Sequence, residues 1–255
     1  MARTAEQIFL VFVAAALAAG VARAGEREDF IAGLTKSCAR CDLAGANFKR
    51  RDLSGADLSG ANLKGANFHD AKLAGAKLAG ANLAAANLNK ADLMRADLSG
   101  ADLRAAMLYA ADLDGAKLAG ADLSDAMMGT ARLMRSDLSG AVLRSADLRK
   151  TRMSNANFSG ADLSDAALDF AVLRRAQLLR AKLGNARLIQ AELAEADLTG
   201  ADLTGADAAG ANFRAANLAH ANLSRASLRK ADLYDAKLDD AVFADTVMPD
   251  GVVRP

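Results

Sequence analysis

A hydrophobic period of five governs this chain. Reading every fifth residue from Leu43 to Phe243 gives 41 positions in unbroken register, holding 33 Leu, 5 Phe, 2 Met and one Ala, Ala208. Two residues earlier stands Ala at 37 of them, the exceptions being Cys41, Arg51, Ser136 and Thr151. Asp or Asn often sits just before the Leu, as at Asp52, Asn62, Asp97 and Asn222. Ser and Gly commonly follow it, as in Ser54-Gly55 and Ser139-Gly140. Five matches neither the period of an amphipathic helix nor that of a coiled coil. On an α-helix the apolar position drifts by about 140° per repeat, so no buried stripe forms. On a straight strand it changes face at every repeat. A chain that turns a corner about every five residues satisfies the pattern, with one Ala and one Leu or Phe pointing inward on each side.

Composition supports a repetitive core of small parts. Of 255 residues, 52% are hydrophobic but only 4% aromatic, with no Trp and two Pro. That excludes a disordered chain and gives little material for a conventional globular enzyme core. Basic and acidic residues balance at 32 against 31, which argues against a nucleic-acid binder.

Stretches such as Ala56-Asp57-Leu58-Ser59-Gly60 match the A-(D/N)-L-x-x pattern, and over residues 41–245 the chain resembles the pentapeptide repeat family. The resemblance implies an all-β fold, a right-handed four-sided parallel β-helix with four pentapeptides to a coil. Forty-one repeats make about ten coils, a rod of roughly 48 Å at a strand spacing of ~4.8 Å. Residues 25–40 read as an N-terminal cap in which Phe30, Ile31 and Leu34 share one helical face. Residues 246–255 read as a short tail with a turn at Pro249-Asp250-Gly251. Its Val247, Met248, Val252 and Val253 either seal the last coil or pair two rods end to end as a homodimer.

Residues 1–24 read as an export signal. Arg3 precedes an apolar run from Ile8 to Val21, and Ala22-Arg23-Ala24 offers a small-x-small cleavage pattern. Cleavage after Ala24 leaves no membrane span and places the protein in the periplasm or outside the cell. Glu6 weakens the positive start, so retention as an anchor is the competing reading. Cys38 and Cys41 form a lone C-x-x-C. In an exported chain this favours a disulfide. The other readings are free or redox-active thiols and, lacking further ligands before His69, a metal site.

Stacking residues 20 apart sorts the surface into columns. One reads Asp57, Lys77, Asp97, Lys117, Asp137, an alternating charge ladder expected to be structural. Two sides are irregular. Met107, Tyr109, Met127, Phe170 and Ile189 interrupt one; Arg132, Arg135, Arg152, Arg174 and Arg175, with Met94, Met134 and Val172, mark the next. Exposed apolar residues beside Arg fit a protein-binding surface, and drift on a tolerant solenoid is the plain alternative. No cofactor or metal is expected. His69 and His220 lie too far apart along the rod to share a catalytic site, and Arg51 and Ala208 are odd inward residues. The leading functional expectation is a non-enzymatic scaffold or protein-binding module of the bacterial envelope. An inert spacer, a DNA-mimic that protects a topoisomerase and a thiol oxidoreductase are the alternatives.

Overall fold

The computed structural model describes residues 25–255. The export signal and cleavage expected from the sequence fall on residues 1–24, outside the described residues. Parallel β-bridges join residue i to residue i+20 without a break from Ser37↔Asp57 to Ser227↔Val247, one per pentapeptide. The register therefore starts earlier than the repeat count suggests, and Cys38 is the first residue in the inward column. From Leu43 to Leu228 each inward residue donates its N–H upward, as Leu58 does to Lys77 O at 2.8 Å, and Lys77 N returns to Ala56 O at 2.8 Å. The core is a stack of fully buried Ala and Leu or Phe.

The corners explain the rest of the pentapeptide. Ala61 N donates to Leu58 O at 3.1 Å, and the residue before it, Gly60, has φ +65°. The same left-handed conformation recurs at every fifth residue from Arg40 to Asp245, with φ between 53° and 70°. These are type II turns, whose third residue favours Gly; many corners nevertheless carry Arg, Lys, Asp or Ala. The outward Asp or Asn has an equally local task. Every one, from Asp42 to Asp232, accepts a hydrogen bond on Oδ1 from the N–H two residues on, at 3.0–3.4 Å. This Asx turn satisfies a corner donor that the ladder cannot reach. Where Ala is replaced by Ser136 or Thr151, the buried hydroxyl donates back to Leu133 O or Leu148 O at 2.6 Å.

The two ends differ. At the start, α1 (Glu26–Ala32) lays Phe30 on Phe48, ring centroids 5.6 Å apart, and Phe48 stacks on Phe68 at 5.1 Å. Only Phe30 is buried. Ile31 and Leu34 face solvent, contrary to the shared-face expectation, because a helix of seven residues ending at Gly33 meets the coil along too short a stripe. Arg51 does not reach past α1 to water: its guanidinium donates to Phe30 O at 2.7 Å and Ile31 O at 2.9 Å. There a cation meets the carbonyls at a helix C-terminus, where Phe30 O also accepts the Gly33 N–H at 3.0 Å. Cys38 and Cys41 are both buried and joined as a disulfide across the first corner.

At the other end, β1 (Thr246–Val247) pairs antiparallel with β2 (Val253–Arg254). Met248 packs on the core while Val252 and Val253 are exposed. Among the described residues no helix is long and apolar enough to cross a membrane.

The corner geometry makes a paired stability test. Ala105 has φ +54° and Gly100 φ +62°, and a Cβ at Gly100 would meet nothing within 4 Å. Ala105→Gly should raise stability by about 0.5–1 kcal/mol and Gly100→Ala lower it by about 1 kcal/mol, read as opposite shifts of the urea midpoint.

Candidate functional site

The bridges place the irregular residues on two adjoining sides. On the Met side the outward column runs Asn87, Met107, Met127, Asp147, Ala167, Arg187. Met107, Tyr109 and Met127 come together there: Met127 is 47% and Tyr109 53% exposed, and the Tyr109 ring lies against Gly129, whose missing Cβ would sit 3.5 Å from it. Neither Met can make the Asx turn. Asn89 compensates from the coil below, accepting the Tyr109 N–H at 2.8 Å. Phe170 and Ile189 do not join this patch. Between them and Met127 lies a coil carrying Asp147 and Arg149, whose charged ends are 2.6 Å apart. Phe170 is itself a half-exposed aromatic in a left-handed corner, φ +59°.

On the Arg side the outward column runs Asp112, Arg132, Arg152, Val172, Glu192. The arginine cluster expected from the sequence is largely neutralised within the rod. Arg132 lies 2.5 Å from Asp114 and 3.4 Å from Asp112; Arg174 and Arg175 share Glu195 at 3.7 and 2.8 Å. Arg135 and Arg152 are exposed and form no ion pair among the described residues. Met94 and Met134 line a shallow groove with Ala74, Arg95, Asp114 and Arg135 along the corner beyond this side.

A diagonal pairing of residues 18 apart joins a corner side chain to an outward one in the next coil. It gives Asp114–Arg132, Arg144–Asp162 at 2.7 Å, Asp169–Arg187 at 3.1 Å and Arg214–Asp232 at 3.2 Å. Of the alternating charge ladder, Lys77–Asp57 closes to 3.6 Å. The diagonal was legible as an acid and an Arg 18 residues apart, a spacing that column stacking overlooks. Asp114 works hardest, since it also accepts the Met134 N–H at 2.9 Å in place of the Asx turn that Arg132 cannot make. His69 and His220 are not brought together. His220 lies 3.6 Å from Asp240, and no group of His, Cys, Asp and Glu among the described residues could hold a metal.

These features match known proteins closely enough to place the chain. The family model for pentapeptide repeats matches eight copies, spanning residues 41–78, 71–113, 106–128, 136–175, 171–207 and 209–245. The chain belongs to the pentapeptide repeat family. Among solved structures it is similar to HetL, a pentapeptide repeat protein involved in heterocyst differentiation regulation from the cyanobacterium Nostoc sp. strain PCC 7120. The identity is 34%, over 91% of this chain and 99% of that one, with a TM-score of 0.52. It is also similar to QnrB1, a plasmid-mediated fluoroquinolone resistance protein, at 20% identity over 80% of this chain and 92% of that one, with a TM-score of 0.48. A comparison with curated proteins gave no match. The right-handed β-helix of the family agrees with the ladder described above.

Two predictions follow from the charge network. Asp114→Ala removes the partner of Arg132 and the acceptor of the Met134 N–H together, and should cost about 1–3 kcal/mol in the urea midpoint. Asp114→Asn, which keeps the acceptor, should cost less. The second concerns pH. Hydrogen bonds from Arg104 and Arg149 hold Asp102 and Asp147 below the ordinary carboxylate range. At Asp162 burial opposes ionisation, but Ser164 and Arg144 outweigh it. Because an unfolded Asp titrates near pH ~4, this stabilisation is complete above that value and is lost as pH falls through the lower folded values. The urea midpoint should therefore drop between pH 5 and pH ~2. The decline should be shallower in an Asp102→Asn, Asp147→Asn double variant, which keeps the Asx turns.

Proposed function

We propose that the protein is a non-enzymatic scaffold of the bacterial envelope. It is a rigid, four-sided rod of about ten coils, closed at its start by α1, that offers its irregular sides to a protein partner. The observation that carries this reading is the Met107, Tyr109 and Met127 patch. There two stacked outward positions give up the hydrogen-bonding residue used at Asn87 and Asp147 on either side, and Tyr109 and Met127 stand exposed instead, with Met107 half-buried beside them. A solenoid has no internal use for them, whereas apolar and aromatic anchors beside Arg are what protein interfaces concentrate. Arg152, on the adjoining side and without an ion pair among the described residues, supplies polar surroundings.

The envelope assignment rests on the sequence of residues 1–24, supported by the Cys38–Cys41 disulfide, a bond suited to oxidising compartments. That disulfide fills inward positions of the first coil, which favours a structural over a redox role. Mixed-sign columns such as Asp57, Lys77 and Asp97 present no phosphate-like row.

The test is photo-crosslinking in the source cell, with the probe amino acid at position 109 and, as control, at position 139. A discrete adduct at 109 alone supports the binding reading and identifies the partner by mass. Equal or absent labelling at the two positions overturns it in favour of a spacer.

A further inference from the structure

The rod ends in an open β edge. In every interior coil the inward N–H and the corner N–H donate to the next coil, and the Ala carbonyl accepts from it, as at Leu58, Gly60 and Ala56. In the last coil most of these groups lack a backbone partner among the described residues. The N–H groups of Leu233, Asp235, Leu238, Asp240, Phe243 and Asp245 have no backbone acceptor among the described residues, and the carbonyls of Ala231, Ala236 and Ala241 have no donor. The fourth side is closed, because β1 pairs with β2 and Met248 N donates to Val252 O at 2.8 Å. Beneath two of the open sides the core is uncovered: Leu233 and Leu238 are half-buried, where inward Leu residues further down the rod are at most 2% exposed; on the third, Phe243 is buried with the Arg254 guanidinium 4.6 Å over its ring. The opposite end is handled differently. Helix α1 covers it, Arg27 donates to Asp42 O at 2.9 Å and Lys36 to Ser54 O at 3.1 Å.

Exposed edges are ordinarily blunted with Lys, Pro or a covering element. This one is left as six donors and three acceptors, and its rim is acidic. Residues 231–245 hold Asp232, Asp235, Asp239, Asp240 and Asp245 against Lys237 alone. Asp232 is paired with Arg214 and Asp240 approaches His220, both from the coil below. Asp235, Asp239 and Asp245 form no ion pair among the described residues.

We infer that this edge is a docking site for a basic segment of another protein, which adds along the open sides over residues 231–245 and turns the same corners at Asp235 and Asp240. Its backbone would take up the unpaired amides and carbonyls, its Lys or Arg side chains would meet the aspartates, and its small apolar residues would cover Leu233 and Leu238. Strand addition of this kind draws affinity from main-chain hydrogen bonds and specificity from alternate side chains. Charge complementarity selects the occupant. A second copy docked end to end would bring two acidic rims together, so a basic strand is the better fit.

The experiment uses the full chain and a fluorescein-labelled fifteen-residue peptide of three Ala-Lys-Leu-Ser-Gly repeats, with three Ala-Glu-Leu-Ser-Gly repeats as control. Anisotropy gives affinity, and hydrogen exchange gives the protection of the six edge amides. The expected result is binding of the Lys peptide only, with slowed exchange at Leu233, Leu238 and Phe243. Affinity should weaken about tenfold or more in the Asp235→Asn, Asp240→Asn, Asp245→Asn variant, whose substitutions are on the surface and leave the core intact. Equal binding of both peptides, no binding of either, or binding without amide protection overturns the inference, the last by reducing the rim to a diffuse attraction. So does edge-amide protection that depends on protein concentration without peptide, since a second copy would then be the occupant.

Discussion

Everything in this molecule depends on one constraint, that residue i must hydrogen-bond to residue i+20. With a left-handed residue at every fifth position, that register places four such residues in each step of the ladder, and they set the pentapeptide. The inward Leu and Ala fill the narrow interior, the left-handed corner residue turns the chain, and the outward Asp or Asn satisfies the corner donor. No residue of the repeat is spare. Neighbouring coils supply one another's hydrogen bonds and apolar contacts, so stability is close to one-dimensional, a sum over coils and the junctions between them. The ends then become chemically distinct places, because each has a partner on one side only.

The inward half of the repeat was the more legible half. Leu and Ala report burial directly, and a period of five admits few folds. The outward half was read as charge, which missed its main work: Asp57 and Asp97 face Lys in their columns, yet each also caps the corner N–H of Ser59 or Ser99. Side-chain reach was the second blind spot. Column stacking treats residues as points above one another, whereas an Arg such as Arg132 spans a diagonal to Asp114. Arg51 shows the same thing at the first coil. It is a misfit by its place in the repeat, and its purpose appears only once α1 lies above it with its C-terminal carbonyls facing the guanidinium.

The irregular sides divide more finely than a list of exposed residues suggested. Apolar anchors survive as a compact group at Met107, Tyr109 and Met127, while Phe170 and Ile189 stand apart beyond a charged coil. Of five arginines, three are committed to acids within the rod and two are available to something else. Intramolecular pairing therefore filters the surface: a charge already satisfied at 2.5–2.8 Å, as in Arg132 and Arg175, must give up that partner before it can serve another.

The repeat arithmetic also constrains how such a molecule can change. A deletion or insertion of one residue would turn every later Leu away from the core. A whole pentapeptide added or lost leaves the core intact, and it swings everything beyond the junction by a quarter turn about the rod axis. The angle between the Met107 patch and the open C-terminal edge is thus set by the number of repeats between them. Evolution, or an engineer, can re-aim one end of this protein against the other in discrete quarter-turn steps without touching a single contact residue.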